Sequence, residues 1–208
     1  MINRVFIHGL ESSSQGEKGQ YFHERYPDML IEDYEGPFEA RMDKLNRLLK
    51  GKENLILVGS SYGGLMAAVY ACENQDRVKK LILLAPALIL PQFGSYQQTR
   101  LTLPVVLYHG KQDTIVPPAA TRKIAEDVFT NLFYYAVTDD HSLHGHFERM
   151  PWDDALDLLA EQLLRARERH GAQSVLYYAA SGTKGLLNGC GAAFWRAFGG
   201  CTTTYGDL

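Results

Sequence analysis

The stretch Asn54-Leu55-Ile56-Leu57-Val58-Gly59-Ser60-Ser61-Tyr62-Gly63-Gly64-Leu65-Met66-Ala67-Ala68-Val69 changes character once, at its glycines. Before them runs an almost continuous apolar segment, the pattern of a parallel strand covered on both faces. After them comes a run that reads as helix. The junction has the form Gly59-x-Ser61-x-Gly63. A serine in such a strand-to-helix turn is held with its hydroxyl exposed. The flanking glycines let strand and helix approach without Cβ clashes.

Outward from this junction the alternation repeats. Apolar runs lie at Val5–Ile7, Met29–Ile31, Leu55–Val58, Val78–Leu84, Pro104–Tyr108 and Leu132–Val137. Helix-period stretches lie at Phe38–Lys50, Tyr62–Glu73, Pro117–Val128 and Pro151–Arg167. Such alternation predicts a doubly wound, mostly parallel α/β sheet with right-handed crossovers. Ligands bind at the carboxyl ends of the strands in these sheets, so the residues after each strand carry the functional reading.

A serine hydroxyl needs a general base, and the base needs an orienting group. In this architecture they follow in the order serine, acid, histidine. The fifth run leads into His109-Gly110-Lys111-Gln112-Asp113, and the fourth ends in Ala85-Pro86-Ala87 without a carboxylate, so Asp113 is the candidate acid. The sixth run leads into Asp139-Asp140-His141-Ser142-Leu143-His144-Gly145-His146. His141, nearest the strand end, is the candidate base, with His144 and His146 as alternatives. The first run ends in His8-Gly9-Leu10-Glu11, whose backbone can supply one N–H of an oxyanion hole, from Leu10 or else Glu11. The Tyr62 N–H would be the other. His8 is expected to brace this loop, and Ser12–Ser14 to supply turn and cap residues for the helix that follows. Asp139, Asp140 and the three histidines could also ligate a metal, but they match no established zinc spacing, and no metal or other cofactor is expected. The connection Ala85 to Leu103 is too short for a cap domain. Its Leu88, Ile89, Leu90, Phe93 and Tyr96 could form an apolar wall beside Ser61 or pack into the core. An open wall would suit small to medium acyl groups.

Hydrophobic residues make up 46% and charged residues 22% of the 208, as in ordinary globular proteins. A net charge of −3 gives no basic footprint for nucleic acid. Three cysteines (Cys72, Cys190, Cys201) cannot build a disulfide framework, which fits a reducing compartment. No apolar run reaches the ~18 residues of a membrane span. The opening Asn3-Arg4-Val5-Phe6-Ile7 is unlike a signal peptide, and a cytoplasmic location is expected. Composition shifts near residue 170: positions 171–208 hold eight of the 19 glycines and only Lys184, Arg196 and Asp207 as charges. Residues 1–170 are therefore expected to form the catalytic fold, and 171–208 an appendage outside it.

Four marks in order resemble the α/β-hydrolase superfamily over residues 1–168: His8-Gly9-Leu10, Gly59-x-Ser61-x-Gly63-Gly64, Gly110-Lys111-Gln112-Asp113-x-x-Val116-Pro117 and Asp140-His141-x-Leu143. The opening Ile7-His8-Gly9-Leu10-Glu11-Ser12-Ser13 looks like the small, lid-poor esterases of the bacterial YqiA type. The resemblance implies Ser61 as nucleophile, Asp113 as acid, His141 as base and an oxyanion loop after the first strand. Residues 174–208, from Ser174-Val175-Leu176-Tyr177-Tyr178 to Leu208, resemble an early segment of molybdopterin-dependent oxidoreductases of the formate dehydrogenase kind. That family needs hundreds of further residues to hold its cofactor, so Cys190 and Cys201 are not expected to be ligands. The expected function is a serine hydrolase that cleaves a small-molecule carboxylic ester or thioester through an acyl-enzyme. Fold alone does not fix function, so a non-catalytic binding module and a lyase or perhydrolase remain the alternatives.

Overall fold

Six strands form the body of the chain: β1 (Asn3–Ile7), β2 (Leu30–Ile31), β3 (Leu55–Ser60), β4 (Val78–Leu84), β5 (Val105–Gly110) and β6 (Leu132–Val137). In the computed structural model, which describes residues 2–145, 163–177, 197–200 and 202–203, they lie in the order β2-β1-β3-β4-β5-β6. Every neighbouring pair is parallel. The register sets Ile7 opposite Gly59, Ser60 opposite Leu84, and Gly110 opposite Val137. The loops that leave β1, β3, β4, β5 and β6 therefore start along one edge of the sheet. The crossovers carry α1 (Glu17–Arg25), α2 (Phe38–Leu48), α3 (Tyr62–Glu73) and α4 (Pro118–Val128), and a 3-10 turn spans Pro91–Tyr96.

Strand side chains alternate between the two faces of the sheet. Val5, Ile7, Leu55 and Leu57 join Leu45, Leu49, Leu65 and Met66 in one core. Phe6, Val58, Leu84 and Val137 face the other way and pack with Met29 and Phe22. Helix α3 is buried continuously from Gly63 to Ala71, which is why its sequence has no polar stripe.

The elements fall close to their expected places, with differences at the ends. Strands β3 and β5 run on to Ser60 and Gly110, because Gly59 and Gly110 continue the ladder that the apolar run begins. Of the expected helix Pro151–Arg167, residues 163–167 are helical within a stretch at 163–170, and 151–162 lie outside the described residues. The cap of α1 corrects the sequence reading. It is Gly16 rather than a residue of Ser12–Ser14, and it makes no side-chain cap hydrogen bond. Ser13 instead closes the preceding turn, its carbonyl accepting from Gly16 N–H and its hydroxyl from Gln15 N–H.

The chain divides into two compact units, Met1–Arg149 and Met150–Leu208, so the boundary expected near residue 170 falls inside the second. That unit contains the 163–170 helix, a 3-10 turn at Ala172–Ser174, and strands β7 (Leu176–Tyr177) and β8 (Thr202–Thr203), paired in parallel. Within it the Arg167 guanidinium lies over the Phe198 ring. Cys190 and Cys201 lie outside the described residues. Among the described residues no helix is long and apolar enough to cross a membrane.

Candidate active site

Ser61 joins β3 to α3 with φ 54° and ψ −115°, a backbone region that residues with a side chain rarely occupy. Its N–H donates to the Leu84 carbonyl (2.8 Å), and its own carbonyl accepts from Ala87 N–H (3.0 Å). The turn depends on its glycines. A Cβ on Gly63 would stand 2.1 Å from the Ile7 carbonyl oxygen, and one on Gly59 would stand 2.4 Å from the Gly63 carbonyl oxygen.

Asp113 is buried in the loop after β5. Its Oδ1 accepts the backbone N–H groups of Ile115 (2.9 Å) and Val116 (2.8 Å). Its Oδ2 lies 2.7 Å from His141 Nδ1, and His141 Nε2 lies 2.9 Å from Ser61 Oγ. Burial pushes the Asp113 carboxyl up, but the hydrogen bonds from Val116, His141 and Ile115 outweigh it and hold the group below the ordinary carboxylate range. An ionised Asp113 fixes the hydrogen on His141 Nδ1 and leaves Nε2 to accept from the Ser61 hydroxyl.

The three histidines of the loop after β6 go different ways. His141 meets Ser61 and Asp113. His144 lines the cavity and pairs with Glu17 (2.7 Å), with more than half of each side chain exposed. His146 lies outside the described residues. The loop is tied down on several sides. Asp139 accepts from Asp140 N–H and Gly145 N–H, and Asp140 accepts from Ser142 N–H. Leu143 is buried at φ 56°, and Lys18 Nζ donates to the Ser142 carbonyl. Burial lowers the Lys18 pKa, against the opposing pull of Glu17, Asp140 and Asp139. Among the described residues no group of three or more His, Cys, Asp or Glu is arranged to hold a metal ion.

His8 is buried and braces the first loop. Its Nδ1 donates to the Gly9 carbonyl (2.7 Å) and its Nε2 accepts from Tyr34 N–H (2.9 Å). The loop passes so near Ser61 that a Cβ on Gly9 would lie 3.3 Å from the serine Cβ. Leu10 and Glu11 line the cavity over Ser61 together with Tyr62. Tyr62 is the first residue of α3, so its N–H has no intrahelical acceptor and lies at the positive end of the helix dipole.

The cavity has a volume of about 650 Å³ and an apolar side formed by Leu10, Ile89, Leu90, Ile115 and Val116. Of the expected wall, only Ile89 and Leu90 reach it. Leu88 and Phe93 are fully buried in the core and Tyr96 packs against it, because the 3-10 turn lays its aromatic rings on the core. Ile115 was not foreseen. It is 69% exposed between Asp113 and Pro117, where the apolar pair Ile115-Val116 after a polar loop was the available signal.

His109, the last residue but one of β5, was also missed. It is fully buried, with Nε2 3.0 Å from Asp113 Oδ2 and 3.0 Å from the Val116 carbonyl oxygen. Burial lowers its pKa, against the raising influence of Val116 and Asp113, which favours a neutral ring. Strand alternation held the clue, since His109 shares the buried face of β5 with Val105 and Leu107.

Residues 9–99 match the family profile of the alpha/beta hydrolase fold. Alpha/beta hydrolase domain-containing protein 10 from mouse is similar in structure, with 20% identity, 77% of this chain and 90% of that chain covered, and a TM-score of 0.59. Est1E from Butyrivibrio proteoclasticus gives 17% identity, coverage of 78% and 88%, and a TM-score of 0.62. A monoacylglycerol lipase from Paleococcus ferrophilus gives 16%, 78% and 93%, and 0.57. A stretch of 48 residues, 23% of the chain, is 42% identical to a Halobacterium salinarum protein described as the catalytic chain of a dimethyl sulfoxide reductase. The match spans 6% of that protein's length.

Proposed function

The chain carries the alpha/beta hydrolase fold, and on it we propose a serine hydrolase that cleaves a carboxylic ester or thioester of a small to medium acyl group. The observation that carries this reading is the hydrogen-bonded line from Ser61 Oγ through His141 to Asp113, at 2.9 Å and 2.7 Å. The strained backbone at Ser61 supports it, because such a conformation costs ~1–3 kcal/mol that an ordinary turn would avoid.

Ser61 Oγ attacks the acyl carbon while its proton passes to His141 Nε2. The N–H groups of Leu10 and Tyr62 receive the oxyanion. Collapse of the tetrahedral adduct expels the alkoxide or thiolate, which takes the proton from His141, and leaves Ser61 acylated. Water then repeats the sequence: it gives a proton to His141, attacks the acyl carbon, and releases the carboxylic acid as Ser61 recovers its proton. Asp113 keeps the imidazole in the productive tautomer and balances its positive charge throughout. The apolar side of the cavity suits an acyl chain, and no cofactor takes part.

Fluorophosphonate labelling followed by intact mass tests the proposal. One adduct is expected on the wild type, none on Ser61→Ala, labelling slower by about 10³-fold or more on His141→Ala, and wild-type labelling on His144→Ala. A wild type that never labels would overturn the hydrolase reading in favour of a binding module. Loss of labelling in His144→Ala alone would move the base to that residue.

A further inference from the structure

We propose that His109 is a positioning residue for the same reaction, acting on His141 through the Asp113 carboxylate; the inference rests on the roles proposed for Ser61, Asp113 and His141. The hydrogen-bond partners of His109 Nε2, Asp113 Oδ2 and the Val116 carbonyl oxygen, are both acceptors at 3.0 Å, so this nitrogen carries the hydrogen. The other ring nitrogen, Nδ1, is buried without a partner among the described residues. A leucine would fill the same buried place without leaving a polar atom unpaired. The imidazole is thus explained by what Nε2 does rather than by packing.

With His109 in place, four donors meet one carboxylate. Two backbone N–H groups fix Oδ1, and the imidazoles of His109 and His141 share Oδ2. A carboxylate has about four acceptor sites, so Asp113 is saturated and cannot tilt away from His141. The shared oxygen also has less charge to offer His141. Removing the His109 donor would concentrate charge on Oδ2, favour the His141 imidazolium, and raise the pH at which His141 becomes a free base. Other titratable groups near the pair are Lys18 of α1, Asp139 and Asp140 in the His141 loop, and the Glu17–His144 pair lining the cavity. All of them remain in the His109 variants.

The test is the second-order rate constant for fluorophosphonate labelling across about pH 5 to 9, whose acid limb reports the base of the free enzyme. His109→Leu is expected to raise the midpoint of that limb by about 0.5 unit and lower the plateau about tenfold. His109→Gln retains an N–H donor and is expected to return the midpoint to within ~0.2 unit of wild type. A folded His109→Leu protein with a lowered plateau but an unmoved midpoint would make the residue merely structural and overturn the proposal. Nitrogen NMR of the wild type covers the case in which that variant does not fold. It should show His109 neutral and protonated on Nε2 while His141 titrates; the other tautomer, or an ordinary histidine titration, overturns the proposal. Absence of wild-type labelling would count against the proposed function itself, with the NMR still testing the His109–Asp113 bond.

Discussion

Glycine at position 61 would remove a Cβ from a backbone held at φ 54°, and the hydroxyl with it. We expect Ser61→Gly to be inactive yet more stable than Ser61→Ala by about 1 kcal/mol, after allowing for glycine's greater freedom in the unfolded chain. The alanine control keeps the strain and loses the same hydroxyl, so equal denaturant midpoints for the two variants would refute this. At this scale the sequence was most legible where chemistry demanded a residue type in a set place. Ser61, Asp113 and His141 each follow a strand, and the structure brings them within hydrogen-bonding distance. His109 escaped because nothing in a sequence shows which acceptors a buried ring nitrogen will face. His144 could be told from His141 only once the loop's direction was known.

Helix α1 looks peripheral, yet it reaches the loop that carries His141 through two neighbouring side chains. Lys18 holds the Ser142 carbonyl next to His141, and Glu17 holds His144. The Lys18 bond is partly buried, whereas the exposed Glu17–His144 pair should contribute little. Lys18→Met is therefore expected to slow labelling about tenfold, through a looser His141 loop, with the melting temperature nearly unchanged. His144→Ala should leave the rate alone. Equal rates for wild type and Lys18→Met would show that the loop holds without its clasp. The span of α1 was not readable beforehand. Gly19 is its only buried residue, so the helix Glu17-Lys18-Gly19-Gln20-Tyr21-Phe22-His23-Glu24-Arg25 has no apolar stripe to count. Helix α2, which buries Met42 and Leu45 one turn apart, announced itself.

For the whole molecule, the alternation of apolar runs and helical periods was enough to predict a parallel sheet, since strands joined by helices have no hairpins to make. The order of the strands was not, because periodicity marks a strand without naming its neighbour. We expect a chain ending at residue 170 to remain soluble and label at the wild-type rate. Aggregation of that truncated protein would show that the glycine-rich segment belongs to the fold. The sheet order has a further effect on how the molecule is made. Strand β1 lies between β2 and β3, so on leaving the ribosome it cannot complete its pairing until the segment around residue 55 has followed. Among the described strands of this sheet no two neighbours are joined by a tight turn, and each pairing must close a loop of a dozen residues or more before its hydrogen bonds repay the entropy. Such a topology folds slowly for its size and leaves apolar strand edges uncovered while it does so. Until the strand that leads into the Ser61 turn has emerged, β1 therefore waits with one of its two edges unpaired.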